Sequence, residues 1–255
     1  MTAWFFDINV WLLFGLFFAG ILAFIVSTLA GGGGALILVP LLHATVGANQ
    51  TSVVLNLGTF IGRPTRLLLF WSDINWRIVV YYAPAAIIGA WLGAYLFTFI
   101  KLTWLQLFIG IFLISTLWQF RWGNKQRSFS MPPPAFIPLG FLVSILGTLV
   151  GALGPILNPF YLNAGLLKES MVATKTANSF LMGIAQLGGY AYFGLLTNET
   201  MAYGLALGGG AIIGNIIGKR TLQKISTTAF MQWVIALMVM SGIVLIYKGT
   251  NALWL

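Results

Sequence analysis

A glycine-rich pattern occurs twice in this chain, 120 residues apart, each time inside long apolar stretches. In both copies about ten apolar residues lead into a glycine cluster, and a second apolar stretch of about a dozen residues follows. The clusters are Gly31–Gly34 and the pair Gly151 and Gly154. Glycine in a membrane helix lets backbones approach or marks a break. Breaks at matching positions of two halves are typical of transporter binding sites, so the pattern predicts a duplicated membrane transporter.

The composition is that of a chain solvated mainly by lipid. Of 255 residues, 59% are hydrophobic and 7% are charged, whereas a soluble domain carries about 25% charged residues. The excess of bases lies between apolar stretches, so the positive-inside bias explains it better than a nucleic-acid partner does. Without cysteine, disulfides and thiolate metal sites are excluded. The single histidine, His43, has no carboxylates nearby, so neither a metal nor a cofactor is expected.

Ten apolar runs, bounded by polar residues, glycine or proline, are predicted to be helical segments. They fall at 11–30, 35–46, 50–71, 77–99, 103–120, 135–150, 155–166, 171–195, 200–218 and 228–247. Eight are close to the length of about 20 residues that crosses the hydrocarbon. The two that follow the glycine clusters would span only about 18 Å, too short for a straight crossing. They either re-enter the membrane or cross together with unwound glycine backbone.

The distribution of Lys and Arg distinguishes these alternatives. If all ten segments cross and the N-terminus is outside, eleven bases lie at cytoplasmic ends and only Lys101 and Lys248 lie outside. If the short segments re-enter without crossing, the best split is seven to six. Because the Lys and Arg bias of short loops sets orientation, we expect ten segments with both ends outside. The N-terminus has no basic region or cleavage site, so we interpret it as a first span rather than a signal peptide.

Five segments in each half, an odd number, would turn the second half upside down relative to the first. The expected fold is therefore an all-α polytopic membrane protein of two inverted repeats, each of about five helical segments, with short or broken helices after the glycine clusters. The repeats are predicted at 1–120 and 135–255. The stretch 121–134 between them is rich in bases and has three prolines, which suits a cytoplasmic linker because proline does not continue a helix.

The repeat continues beyond the glycine clusters. Phe60 matches Phe180 at the same spacing. The small-residue motif around Gly89 matches the motif around Gly214 after a five-residue insertion. The duplication is therefore expected to include most of each half.

Several motifs in a fixed order carry a resemblance to a known family. They lie at Gly31–Pro40, 49–52, 62–76, 89–93, Gly151–Pro155 and Ala173–Asn178. In this order they resemble the sulfite exporter TauE/SafE family, also called the TSUP family. The resemblance implies a multi-pass carrier in a bacterial or archaeal inner membrane, for small sulfur-containing or carboxylate anions such as sulfite, sulfoacetate or sulfonates. In this chain the second glycine cluster is thinned, where many relatives keep a fuller run.

Cations within the apolar runs are candidate ligands for an anion. Arg63, Arg66 and Lys175 have no acid close enough along the sequence to neutralise them, and an ionisable residue inside the membrane is a functional-site hypothesis by default. Guanidinium binds oxyanions bidentately, whereas ammonium binds them as a point charge. The alternative is that all three reach the cytoplasmic surface and anchor helices there, which suits Arg66 best and Lys175 least.

The glycine clusters offer a second feature for anions, because free backbone N–H groups at the start of the following segments would point to the middle of the membrane. Close helix packing is the alternative. Uncharged polar residues would complete the cavity or else bond between helices. The predicted substrate-binding residues are Gly31, Gly32, Gly33, Gly34, Thr51, Ser52, Asn56, Arg63, Gly154, Asn158, Thr174, Lys175 and Asn178.

These features together predict a carrier that exports sulfite or an organosulfonate-type anion by alternating access. The apolar runs hold no carboxylate to relay protons and the chain has no Walker-type phosphate loop, so the membrane potential is the expected driving force. Proton-coupled uptake of another small organic anion, through His43 or a protonated substrate, and a channel are the alternatives. A structural subunit would tolerate neutralisation of Lys175 and Arg63. No enzymatic activity is expected, and the expected partners are the small anion and the lipid bilayer.

Overall fold

The computed structural model describes residues 9–32, 34–97, 103–123, 125, 127–150, 154–192, 194 and 196–251. These residues form ten α-helices and no β-strand, so the ten predicted helical segments are confirmed. The helices are α1 (Val10–Leu29), α2 (Gly34–Val46), α3 (Ala48–Leu69), α4 (Trp76–Phe97), α5 (Thr103–Gln119), α6 (Phe136–Val150), α7 (Asn158–Asn163), α8 (Lys168–Tyr192), α9 (Asn198–Lys224) and α10 (Thr227–Asn251).

Within the described residues, three helices are long and apolar enough to cross a membrane. They cover Val10–Leu29, Asn198–Lys224 and Thr227–Val244. Large apolar side chains also point outward, and Trp11 and Trp91 are 85% and 78% exposed. An outer surface of this kind is typical of a protein whose solvent is lipid.

The first glycine cluster breaks the helical chain between α1 and α2. The last residue of α1 is Leu29, and Gly31 and Gly32 then adopt φ angles of +64° and +104°. Residues with side chains rarely adopt these left-handed conformations. The Gly31 backbone fits between α8 and α10, since a Cβ there would lie 3.0 Å from Met171 Cε and 3.2 Å from Val234 Cγ2.

The second break differs in form from the first. After α6 ends at Val150, a 3-10 turn covers Gly154–Leu157 and leads directly into α7. This helix has only six residues, and a helix so short has little stability of its own. Its position must therefore come from contacts with the rest of the protein.

Helix packing pairs each half with the other. Helix α1 packs along α9 and α6 packs along α4, while α3 contacts α9 and α4 contacts α8. Two further pairs, α3 with α8 and α5 with α10, join equivalent helices of the two halves. Almost all of the extensive contacts therefore run between the halves rather than within them.

Glycines allow the closest of these approaches, in which a helix backbone lies directly against a neighbour. A Cβ at Gly20 would lie 2.5 Å from the Leu207 carbonyl oxygen, and one at Gly140 would lie 2.7 Å from the Tyr82 carbonyl oxygen. Gly214 and Gly89 pack in the same way, against the backbone of Ile21 and of Phe141 respectively. Close packing through glycine is typical of membrane helices, where burial of apolar surface adds little.

Candidate anion-binding site

Lys175, in the second turn of α8, connects the two helix breaks. Its Nζ donates to the carbonyl oxygen of Gly31 at 2.9 Å and to Asn158 Oδ1 at 2.6 Å. A Cβ at Gly32 would lie 2.6 Å from the same Nζ, so a glycine is required where the lysine passes. Lys175 keeps part of its surface accessible, whereas Asn158 is fully buried.

A second polar contact lies one helical turn further along both helices. Asn178 Nδ2 and Tyr161 Oη are 2.7 Å apart, and both residues are buried. Because residues three apart share a helix face, this pair and the Lys175–Asn158 pair form two neighbouring contacts between α7 and α8. Together they fix the short helix against the long one.

The polar cluster has hydrogen-bonding capacity to spare. Among the described residues, Asn158 Nδ2 and Asn178 Oδ1 are buried without a hydrogen-bond partner. The orientation of the Asn158 amide is set by Lys175, because an ammonium group only donates and must face the amide oxygen. An unsatisfied buried donor costs about 1–3 kcal/mol. The Asn158 amide group therefore offers a free N–H beside a cation.

Thr174, next to Lys175, positions a neighbouring helix. Its Oγ1 accepts a hydrogen bond of 2.9 Å from the backbone N–H of Asn75, and the Asn75 side chain in turn accepts one from the N–H of Ile78. These bonds hold the start of α4 against α8.

Arg63 lies on the seam between α3 and α8, one turn beyond Asn178. Its Nη1 donates to the Ser179 carbonyl oxygen at 2.9 Å, and its Nη2 lies 3.4 Å from Thr59 Oγ1. The side chain passes over Gly183, where a Cβ would collide with the guanidinium group. The guanidinium group is therefore held against α8 while part of the residue stays accessible.

Arg66 is the most buried of the three cations, with 8% of its surface exposed. Its Nε and Nη2 donate at 2.9 Å to Asn215 Oδ1 and Thr28 Oγ1. Its Cζ also lies 5.4 Å from the ring centroid of Phe24, a cation–π contact. The surface alternative considered for Arg66 is therefore wrong, because α1 and α9 provide acceptors inside the protein.

Two predicted site residues lie elsewhere on α3. Thr51 Oγ1 donates to the Gly47 carbonyl oxygen of its own helix at 2.7 Å. Asn56 Nδ2 donates to Tyr190 Oη at 2.9 Å, toward the far end of α8. Both side chains are thus engaged in contacts that hold helices, and their role in binding stays a prediction.

The glycines predicted to bind substrate take different positions and contacts in the structure. The N–H of Gly32 donates to the Ser27 carbonyl oxygen at 2.6 Å, so this donor is used within the protein, and Gly31 presents its carbonyl rather than its N–H to Lys175. Gly34 is the first residue of α2, and Gly154 begins the turn before α7. Gly33 and the side chain of Ser52 lie outside the described residues.

The structure brings Gly31, Gly32, Asn158 and Lys175 together, with Asn178 one turn away. Sequence reasoning missed Tyr161, although its spacing of three from Asn158 on a helix was a usable signal. It also missed the partners of Arg66. Of these, Asn215 stands out in the sequence as a polar residue within a run of small and apolar ones.

These features define a class of protein: a helical membrane protein in which a cation lies between two helix breaks. The family comparison agrees with this class, since the model of the sulfite exporter TauE/SafE family matches residues 16–245 of the chain. The chain belongs to the sulfite exporter TauE/SafE family, as its motifs predicted, and it is a membrane-embedded transport protein. No curated protein and no solved structure matches it.

Proposed function

We propose that this protein exports sulfite or an organosulfonate-type anion across a bacterial or archaeal inner membrane, with the anion held at Lys175. The observation that carries this proposal is the Lys175 ammonium group, which joins both helix breaks beside the free amide N–H of Asn158. Within the described part of the chain, the one ion pair is between Lys168 and Glu169, at the start of α8. Among those residues, Lys175 thus has no carboxylate with which to form an ion pair.

The chemistry of these groups suits a small oxyanion. An ammonium group has three N–H donors, of which two are used by Gly31 and Asn158. The remaining donor and the Asn158 amide can bind two oxygens of one anion. Charge-assisted hydrogen bonds are about twice as strong as neutral ones, and they strengthen further where water is excluded. An anion therefore satisfies both the lone cation and the orphaned donor.

Binding at Lys175 also provides a means of alternating access. The Lys175 contact with the Gly31 carbonyl oxygen joins α8 to the break in the first half. An anion on the remaining donor shares the positive charge of Lys175 with this carbonyl, so binding weakens a contact between the halves. A ligand shifts a conformational equilibrium only through such a difference in affinity between states.

The proposed architecture is a pair of inverted repeats, at 1–120 and 135–255, joined by a linker at 121–134. It is supported by reciprocal contacts between the halves. Gly20 of the first half packs on Leu207 of the second, and Gly140 of the second half packs on Tyr82 of the first. The Phe60 and Phe180 rings, equivalent by the 120-residue spacing, stack on each other with centroids 5.2 Å apart and planes 8° apart. Self-contact of equivalent positions is what a two-fold axis produces. Rocking of one half against the other would separate this stack.

The proposed orientation places both chain ends outside and the linker in the cytoplasm. The crossing of all ten segments, which this orientation requires, is supported by contacts between helix ends assigned to the same side. These are Gln50 with Glu199 and the Asn9 N–H with Tyr203 on the outer side, and Lys219 with the Leu69 carbonyl oxygen and the linker residue Ser128 with Asn163 on the inner side.

Export requires no coupling ion in this proposal. An anion leaving a cell with a negative interior gains about 2.3 kcal/mol per charge per 100 mV. His43, the candidate for a proton-coupled alternative, is exposed on α2 at a distance in sequence from the Lys175 cluster.

Proteoliposomes with an imposed potassium diffusion potential test the proposal. We expect sulfite efflux to accelerate when the destination side is positive and external sulfite to produce saturable counterflow. Replacing Arg220, which is exposed at the end of α9, with Gln is the control for a lost positive charge. Flux that ignores the potential would exclude electrogenic export, and flux without counterflow would favour a channel.

A further inference from the structure

Asn163, the last residue of α7, ties the linker to the candidate anion site. Its Oδ1 accepts hydrogen bonds from the backbone N–H groups of Ser128 at 2.7 Å and Phe129 at 3.0 Å. Its Nδ2 donates to the Pro159 carbonyl oxygen at 2.9 Å. The side chain is 1% exposed, so these bonds are protected from water and each polar atom of the amide has a partner.

The opposite end of the same helix carries the anion-binding contact. Asn158, the first residue of α7, accepts from Lys175, and the whole helix has only six residues. A helix of this length spans about 9 Å and moves as a rigid unit. A displacement at Asn163 is therefore transmitted to Asn158.

The linker has its own attachment on the far side. Gly123 packs against Met231 and Gln232 of α10, where a Cβ would lie 3.1–3.2 Å from their side chains. The Arg127 guanidinium group lies over Gly165, directly after α7, so closely that no Cβ fits there. The linker thus contacts α10 at Gly123 and holds the short helix through a strap, residues 127–129.

We propose that Asn163 is a positioning residue for anion binding, and that the strap sets the affinity of the site by holding α7 in place. The proposal rests on the proposed function of the Lys175 site. It assigns the linker a task beyond connecting two halves: because α7 is too short to hold its own position, the strap supplies the restraint. Coupling between two ends of one rigid element is reciprocal, so events at the anion site must also alter the strap.

The first test measures sulfite flux for three variants. Asn163→Leu removes both acceptor bonds, and we expect the KM for sulfite to rise about tenfold while the maximal rate changes less than about twofold. Asn163→Asp keeps an acceptor for both N–H groups and should fall closer to the native protein. Ser130→Ala, an exposed linker position, is the control and should leave the KM unchanged. A native KM in folded Asn163→Leu would overturn the proposal.

The second test is independent of sulfite and of transport. Hydrogen exchange of the Ser128 and Phe129 amides is followed in ligand-free Asn158→Leu, which breaks the contact at the other end of α7. We expect exchange to accelerate several-fold there and not in Ser130→Ala. Unchanged exchange would show that α7 does not connect the two ends, and would overturn the proposal even if Lys175 binds anions. Loss of sulfite flux in Lys175 variants decides the proposed function separately.

Discussion

The two halves that the repeated glycine pattern predicts differ in chemistry at positions 120 residues apart. Shifted by the 120-residue spacing, Lys175 corresponds to Leu55 and Asn158 corresponds to Leu38. Both leucines are buried, so the seam between α2 and α3 is a dry contact. The seam between α7 and α8 instead carries a cation, an orphaned amide donor and two polar contacts.

A repeated arrangement of helices therefore does not require a repeated polar site. Two buried ammonium groups close together would repel each other strongly in a medium of low dielectric constant. A single polar seam avoids this repulsion, in keeping with the one anion site proposed at Lys175. The apolar seam of the first half contributes backbone instead, through the carbonyl oxygen of Gly31.

A second contrast concerns two cations of the helix bundle, Arg66 and Lys175. The guanidinium group of Arg66 has acceptors from Asn215 and Thr28 and a ring from Phe24. Lys175 lies beside an unsatisfied group and keeps accessible surface. Arg66 is therefore expected to serve stability, and Lys175 to serve binding.

The largest effect is expected when Lys175 is replaced by leucine, the residue at the corresponding position of the first half. Lys175→Leu should lower sulfite flux in proteoliposomes by roughly 100-fold or more, because loss of a buried charged partner costs about 2–5 kcal/mol. Arg220→Leu, at an exposed position, should retain native flux. Transport that survives in Lys175→Leu would refute the polar seam as the anion site.

Arg66→Met tests the assignment of that residue to stability. We expect the free energy of unfolding in detergent to fall by about 2–3 kcal/mol, since hydrogen bonds to a charged group contribute about 1.5–3 kcal/mol and Asn215 Oδ1 would lose its donor. Flux per folded molecule should change less than about threefold. A full loss of transport at native stability would instead place Arg66 in the binding site.

Gly32→Ala tests the need for glycine at the first helix break. At φ +104° an added Cβ is strained by about 1–2 kcal/mol, and it would also meet the Lys175 Nζ. We expect a lower melting temperature and weaker sulfite binding, both measured by thermal shift with and without sulfite. Gly188→Ala, where a Cβ meets nothing within 4 Å, should match the native protein in both.

Asn158→Leu has the smallest expected effect. It copies Leu38 of the first half and removes one donor and one acceptor, so the apparent affinity for sulfite should fall about tenfold. Competition of sulfite against counterflow measures this affinity. An unchanged value would mean that the orphaned amide N–H is not used by the anion.

Three features could be predicted from the sequence alone. They are the ten helical segments, the breaks at the glycine clusters and the cations that have no acidic residue close to them along the chain. These properties follow from hydropathy, spacing and composition, which act locally. The resemblance to the TauE/SafE family could also be seen in the sequence, because it rests on the order of the motifs along the chain. Thr51 and Asn56 were predicted as ligands from residue type alone, and type did not reveal that one bonds to its own helix and the other to Tyr190.

Only the tertiary structure shows which acceptors each cation meets. The partners of Arg66 come from positions 149 and 38 residues away, and one partner of Lys175 comes from 144 residues away. No local pattern specifies such pairs, because they depend on which helices pack together. The same is true of Asn163. Its hydrogen bonds to the linker depend on where α7 ends in the folded protein, and the order of residues along the chain does not specify that position.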